Sequence, residues 1–353
     1  MAGNVISAAS RLTTPLCDTT GQGAGSTVSL QVRDGGDAVR DAVQESGQGR
    51  EKPDFRHEAL LYTDTDQLQA SVSEFIREGL CAEESVLVAV RADTEELLRA
   101  DLGAEADAVR FLELNGVGRN PARIIPMLRS WLEEQAGRRL CRGVCEPMAP
   151  DRDTSELAEY RRHESLLNLA FVGLPAWRLL CPYDVTELDH GDIASVLGDH
   201  SVVAGATNPD YRPPSPATVL AGTLPTPPRA HHQVPFDMES ISSVRTLVAS
   251  EASRAGLTED GVQDLVLATH EVMVNSIDHG GGKGVLLLWR DPKGFVCEVR
   301  DSGVLTDPLA GRRKPTTKQR RGRGLWIVNQ VCDLVQLRSS PATGTVVRVM
   351  VFP

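Results

Sequence analysis

Prolines at 209, 213, 214, 216, 225, 227 and 228 decide how the rest of this chain can be arranged. Each lacks an amide hydrogen and has a fixed φ, so a packed helix is not expected across them. An extended, semi-stiff spacer is expected instead. The chain then divides into a folded region before Asn208 and another from about Val234. Its 353 residues fit two domains plus unpatterned segments. Residues 1–52 are rich in Gly, Ser, Thr, Asp and Gln and show no hydrophobic period, so they are expected to be disordered. The expected parts are a disordered segment at 1–52, a domain at 53–207, a spacer at 208–233 and a second domain at 234–353.

The formal charge of −11 argues against direct nucleic-acid binding, which leaves a basic footprint. No apolar run approaches the roughly 18–20 residues that span a bilayer, and no secretory signal pattern opens the chain. Seven cysteines without framework spacing fit reduced thiols in cytoplasm. Cys141 and Cys145 have no second ligand pair after them, so they read as strand residues, one or both buried.

Between 54 and 207, short apolar runs alternate with helical patterns. Strands are expected at Ala59–Tyr62, Ser85–Val90, Val109–Glu113, Leu140–Cys145 and Ala176–Cys181, with helices at 66–79, 94–101, 121–136 and 154–171. Alternation of this kind predicts a three-layer α/β domain around a mostly parallel sheet. Ligands of such sheets bind beyond the carboxyl ends of the strands, where Glu146, Tyr183 and Asp184 are expected. Polar residues there also often only cap helices or satisfy loop amides. His57 and His163 suggest a metal pair but lack a nearby third ligand, and His163 reads as a helix-face histidine with its hydrogen bonds satisfied. The strings His57-Glu58-Ala59-Leu60-Leu61-Tyr62, Arg119-Asn120-Pro121-Ala122-Arg123, Gly143-Val144-Cys145-Glu146-Pro147, Arg162-His163-Glu164 and Cys181-Pro182-Tyr183-Asp184 together resemble the MEDS sensory domain. That resemblance implies an input module for an unidentified small organic ligand.

From Val234 the pattern changes to helices at 239–254 and 259–278, strands at 284–290 and 294–301, a helix at 324–333 and strands at 334–339 and 344–352. Lys293-Gly294 suits a hairpin turn. A two-layer α/β sandwich is expected. In the second helix Val262, Leu265, Val266, Thr269, Val272, Met273 and Ser276 trace the packed stripe. Glu271, Asn275 and Asp278 lie on another face. Gly280-Gly281-Gly282-Lys283-Gly284 is no P-loop, because no Ser or Thr follows the lysine and it leads from helix into strand.

Glu271-Val272-Met273-Val274-Asn275, with His279-Gly280 behind it, resembles the N-box of the GHKL (Bergerat) ATP-binding fold. Asp301-Ser302-Gly303 is similar to its first glycine box, Arg321-Gly322-Arg323-Gly324-Leu325 to its second, and Gly344-Thr345 to its final polar position. The order and the coverage of 234–353 are those of the family. The resemblance implies ATP with Mg²⁺ as cofactors. It implies that Asp301 accepts the adenine amine, with Gly303 giving the base room. Asn275 would hold Mg²⁺, which takes oxygen ligands, and Gly322 and Gly324 would free amides for the phosphates. Asp278, His279, Arg321, Arg323, Leu325 and Thr345 complete the nucleotide contacts, and Glu271 orders or deprotonates the nucleophile. The basic run Arg312, Arg313, Lys314, Lys318, Arg320, Arg321 and Arg323 reads as a mobile lid over the triphosphate.

Within that group the chain looks most like the anti-sigma factor serine kinases. Their resemblance implies transfer to a serine or threonine of a STAS-type anti-anti-sigma protein, a sigma factor as further partner, and a possible homodimer. A sensor histidine kinase is the alternative. It needs a helical hairpin bearing a phosphoacceptor histidine, whereas 208–233 is proline-rich and His231-His232 lie in no heptad. A non-catalytic ATP-binding switch that sequesters a partner is the third reading.

Overall fold

The computed structural model describes residues 55–353 apart from 118, 136–139, 147–151, 175, 228–231, 317 and 320–321. The expectations for 1–52, Cys17, Pro147, Pro228, His231, Arg320 and Arg321 fall outside the described residues. The first folded region runs β1 (Arg56–Tyr62), α1 (Thr65–Cys81), β2 (Ser85–Val90), α2 (Ala92–Leu102), β3 (Val109–Glu113) and α3 (Leu114–Val117). It continues through α4 (Ile124–Glu134), β4 (Cys141–Cys145), α5 (Thr154–Ala170), β5 (Trp177–Asp184) and α6 (His190–Asp199). A hook of β6 (Val202–Val203) and β7 (Ala206–Thr207) closes it.

These strands form one seven-stranded sheet ordered β3-β2-β4-β5-β1-β6-β7, parallel except for the β6–β7 pair. Alternation along β2 shows why it is covered twice: Val86, Val88 and Val90 pack into one cluster with α1 and α2, while Leu87 and Ala89 enter another with α4 and α5. The three-layer architecture is therefore as the sequence predicts. Two details differ. β5 runs on from Cys181 to Asp184, through Pro182, because pairing with β4 ends at Leu180 and no amide hydrogen is needed there for that neighbour. The helix α6, opened by an Asp189–Asp192 capping box, was not foreseen.

The second region contains α7 (Pro216–Leu220), β8 (His232–Asp237), α8 (Ile241–Arg254), α9 (Glu259–His279), β9 (Lys283–Asp291), β10 (Gly294–Asp301), α10 (Gly324–Val331), β11 (Leu334–Ser340) and β12 (Gly344–Val351). Its antiparallel sheet has the order β11-β12-β10-β9-β8, and α8, α9 and α10 bury one face through Val248, Leu265, Met273 and Val328. β8 adds an edge strand that starts at His232, inside the expected spacer.

The proline-rich stretch is not the plain spacer expected. Ser215 caps α7 by accepting from the Thr218 amide, and Pro216 sits in its first turn, where a missing amide hydrogen costs nothing. Val219 of α7 packs into the core beneath the parallel sheet, and Leu220 into that of the antiparallel sheet. Arg348 Nη2 further donates to Pro225 O at 2.8 Å. The segment stitches the two regions together.

More contacts cross the same boundary. Leu309, from the loop before α10, is buried in the α4/α5 cluster of the first region, a burial that contributes about 2 kcal/mol. Arg123 donates from Nε to Asn329 O at 2.8 Å, and from Nη2 to Gln330 O and Cys332 O, each at 2.8 Å. One guanidinium thus satisfies three carbonyls at the C-terminus of α10, where a cation is favoured. Arg338 pairs with the buried Glu159 at 2.7 Å, and Lys293 with Glu156 at 2.6 Å and Asp153 at 2.9 Å.

Candidate functional site

The site is built on α9. Thr258 caps its start and its apolar stripe faces the antiparallel sheet, with Leu265, Ala268, Val272 and Met273 buried. That orientation leaves Glu271 and Asn275 half-buried on the flank towards α10. A Cβ added at Gly324 would stand 2.8 Å from Glu271 Oε2 and 3.1 Å from Asn275 Nδ2. Only the bare backbone of the first α10 residue fits beside that pair. Carboxylate, amide and helix N-terminus are thereby brought together, as the spacing predicts. Among the described residues neither side chain is engaged in a hydrogen bond, so a carboxylate and an amide oxygen are free for a hard, oxygen-seeking cation such as Mg²⁺.

One residue further along α9, Ser276 donates to Asp301 Oδ2 at 2.6 Å, and the Gly303 amide donates to Oδ1 at 2.8 Å. These bonds fix the carboxylate at the end of β10 and use two of its roughly four lone-pair positions. Gly303 lies so close that a Cβ there would meet His279 O at 2.6 Å. Thr345, across the ladder from Asp301, donates to Gly303 O at 2.9 Å and shares a 2.8 Å hydroxyl contact with Ser339, which accepts from the Leu305 amide. The expected Asp301, Gly303 and Thr345 therefore form one cluster. Ser276 and Ser339 were missed as parts of it; a serine within an apolar helical stripe was the available signal.

Other expected residues are less central. The side chains of Asp278 and His279 are exposed at the end of α9, and only the His279 carbonyl touches the cluster. Gly322 has φ +77° and leads into Arg323, an exposed residue whose Nη2 donates to Thr316 O at 3.2 Å. Leu325 packs half-buried on the core. Arg312 corrects the reading of the basic loop. It is buried, beside Arg162, Glu159 and Arg338, and burial pulls its pKa down to about 9. It points into the boundary between the two regions. Its neighbour Gly311 accepts from Asn329 Nδ2 at 3.0 Å, and Asn120 Nδ2 donates to Asn329 Oδ1 and O, both at 3.2 Å. This end of the loop is docked, while Arg313, Lys314 and Lys318 remain exposed.

At the carboxyl ends of β1 and β5 a cleft of about 240 Å³ is bordered by Tyr62, Arg91, Arg152, Tyr183, Asp184 and Asp192. Glu146 is buried next to it and accepts from the Arg91 amide at 3.0 Å and from Arg91 Nε at 3.1 Å. Burial pushes its pKa up despite Arg91. Glu146 therefore anchors Arg91, which itself borders the cleft. Asp184 Oδ1 accepts from the Thr186 amide and hydroxyl, a loop-satisfying role. Tyr183 is buried, with its hydroxyl 3.4 Å from His200 Nε2. His163 departs from expectation: it is wholly buried, and among the described residues neither ring nitrogen has a hydrogen-bond partner.

Residues 56–201 match the family model of the methanogen/methylotroph DcmR sensory domain, MEDS, and residues 234–351 match that of the histidine kinase-like ATPase domain. Among curated proteins, an anti-sigma F factor of Bacillus velezensis is 30% identical over 117 residues, spanning 30% of this chain and 80% of that protein. The anti-sigma F factor of Bacillus subtilis matches to the same extent. The serine-protein kinase RsbW of Halalkalibacterium halodurans is 29% identical over 119 residues, or 30% of this chain and 72% of that protein. The fold and site thus define a histidine kinase-like ATPase domain of the Bergerat type, placed behind a MEDS domain. Through that ATPase domain the chain belongs to the family of anti-sigma factor serine kinases. No helix among the described residues is long and apolar enough to cross a membrane.

Proposed function

We propose that this protein is an ATP-dependent serine kinase acting on a STAS-type anti-anti-sigma protein, and that the MEDS domain controls it. The observation that carries this reading is the junction at Gly324, where Glu271 and Asn275 meet the start of α10 beside the Asp301 cluster. In this reading Asp301 receives the adenine amine. Asn275 would hold Mg²⁺ through its amide oxygen, and the ion would supply charge neutralisation at the phosphates. Glu271 orients the partner's serine hydroxyl and takes its proton as the γ-phosphoryl passes to the serine oxygen and ADP departs. Arg321 and Arg323 would contact the phosphates, and Gly322 would free amides for them. Control follows from the docked loop: Leu309 and Arg312 tie the segment before α10 to the MEDS domain. A small organic ligand in the cleft near Arg91, Glu146, Tyr183 and Asp184 would act on that tie. A sigma factor and a second copy of the chain are the further partners expected of such a kinase, and the cytoplasm is its expected place.

The test is incubation of the full chain with γ-labelled ATP, Mg²⁺ and STAS-type proteins encoded nearby. Acid-stable label on a partner serine is the expected result. Acid-labile label on this chain instead would identify a histidine kinase. ATP binding with no transfer to any of those partners would leave a non-catalytic switch.

A further inference from the structure

Four side chains that play no part in the nucleotide site meet in the core of the MEDS domain: His57 of β1, Glu164 of α5, Cys181 of β5 and His200, which follows α6. All four are buried, and one ligand atom from each lies within 4.8 Å of every other. The topology brings them together. His57 and Cys181 stand on the face of adjacent parallel strands that α5 covers, and the turn after α6 delivers His200 to the same point. His57 Nε2 is 3.2 Å from Glu164 Oε2 and 3.4 Å from Cys181 Sγ, and His200 Nε2 is 3.5 Å from Glu164 Oε2.

The surrounding hydrogen bonds aim lone pairs, not protons, at that point. Asn168 Nδ2 donates to Asp199 O at 2.7 Å, which turns its amide oxygen towards His57 Nδ1 at 3.3 Å. His200 Nδ1 lies 2.7 Å from Val196 O. Each ring therefore carries its hydrogen on Nδ1 and leaves the Nε2 lone pair facing the cluster, the arrangement in which an acceptor behind the ring orients a metal-binding imidazole. Glu164 faces the same point, where the Cys181 thiol and the Tyr183 hydroxyl are the weak donors at hand, each 3.4 Å from an Nε2 atom and close to the carboxyl. A single cation there would serve both lone pairs and the carboxyl at once, in a place sealed from water.

We propose that the MEDS domain holds a divalent cation of the zinc class, ligated by His57 Nε2, Cys181 Sγ, His200 Nε2 and a Glu164 oxygen. Geometry and charge both support it. Zinc bonds of about 2.0–2.3 Å arranged tetrahedrally require donor atoms roughly 3.3–3.7 Å apart. The three separations of 3.2, 3.4 and 3.5 Å lie at that edge length. A dication with one thiolate, one carboxylate and two neutral imidazoles sums to zero charge, which suits a site without water. Mixed nitrogen, sulfur and oxygen donors exclude Mg²⁺ and Ca²⁺, which take oxygen alone. With all four positions filled by protein, the ion would clamp α5 and the end of α6 to the sheet. On α5 the next residue is His163, beside Arg312 of the docked loop.

Metal analysis of the full chain, purified without affinity metals and dialysed, tests this directly. One equivalent of zinc per chain is expected. Reconstitution of chelator-stripped protein with Co²⁺ should give tetrahedral ligand-field bands and a thiolate charge-transfer band. Cys181→Ser should abolish that band, and Asn168→Ala should weaken Zn²⁺ affinity by about 10–100-fold through the misplaced His57 ring. Cys81→Ser should leave both unchanged. Should Cys181→Ser fail to fold, the wild-type Co²⁺ spectrum still decides whether a thiolate ligates. A folded wild-type chain that carries no metal and takes up neither Zn²⁺ nor Co²⁺ would overturn the proposal, as would full metal binding by folded Cys181→Ser.

Discussion

The two polar clusters of this molecule are built in opposite ways. The proposed nucleotide site is half-open. Among the described residues its Glu271 and Asn275 have no hydrogen-bond partner, and its backbone carries no side chain at Gly303 and Gly324, which leaves a large ligand space to approach. The MEDS cluster is closed. His57, Glu164, Cys181 and His200 are packed inside a parallel sheet and its helices, with one ligand atom from each within 4.8 Å of every other. An open site exchanges its ligand on the timescale of signalling, whereas a closed one contributes its binding energy to folding. The contrast sets a site built for exchange against one built to hold shape.

The largest expected effect bears on the open site. Asp301→Asn replaces half of the acceptor held by Ser276 and Gly303. It should weaken ATP binding at least about 100-fold, or about 2.8 kcal/mol, by calorimetry. Metal content of the MEDS domain should be unchanged; a parallel loss would break the separation drawn above. Next comes Arg123→Ala, which strips three carbonyls at the end of α10 of their donor. A loss of about 2 kcal/mol in thermal or denaturant unfolding is expected, since hydrogen bonds to a charged group count for more than neutral ones. Gly324→Ala presses a methyl on the tips of Glu271 and Asn275, which can yield. Phosphoryl transfer should fall roughly tenfold, about 1.4 kcal/mol in the barrier, while stability stays near wild type.

The smallest effect is a pH dependence at the boundary between the regions. Burial opposes the charge on Asp153, but the Glu156 amide and Lys293 outweigh it, so its pKa lies below the usual 3.8. A depressed carboxylate stabilises the folded form above its unfolded pKa and loses that contribution as pH falls through the folded value. Acidification from pH 5 to below 3.8 should therefore loosen the Lys293 contact. Faster proteolysis near 292–293 would report it, and Lys293→Ala should flatten the dependence.

The difference in construction also explains what could be read from the sequence. Glu271 and Asn275 are one helical turn apart, Asp301 ends a strand, and Gly324 starts a helix, so local periodicity exposes most of the nucleotide site. The MEDS cluster draws single residues from three elements and the turn after α6, at 57, 164, 181 and 200, and only the fold assembles them. His57 was visible as a possible ligand but was paired with His163, which lies one residue from the true neighbour, Glu164. Nine strands of the two sheets were legible from alternation and run length, whereas β6 and β7, of two residues each, and the proline-bearing edge strand β8 were not. The role of 208–233 was not, because proline density reports what a segment cannot form and says nothing of which neighbours Val219 and Leu220 will find. Arg312 misled for a similar reason: a cation in a basic run reads as solvated until tertiary packing buries it.

The grip of Arg123 on the last carbonyls of α10 has a thermodynamic side. The helix α10, whose first turn is proposed to face the nucleotide, is held at its other end by the MEDS domain, so in that reading both binding events draw on one equilibrium. Coupling of that kind is reciprocal: whatever factor a cleft ligand imposes on nucleotide affinity, bound nucleotide imposes on the cleft. The energy charge of the cell would then set the ligand concentration at which this sensor responds, making its threshold a metabolic variable in its own right.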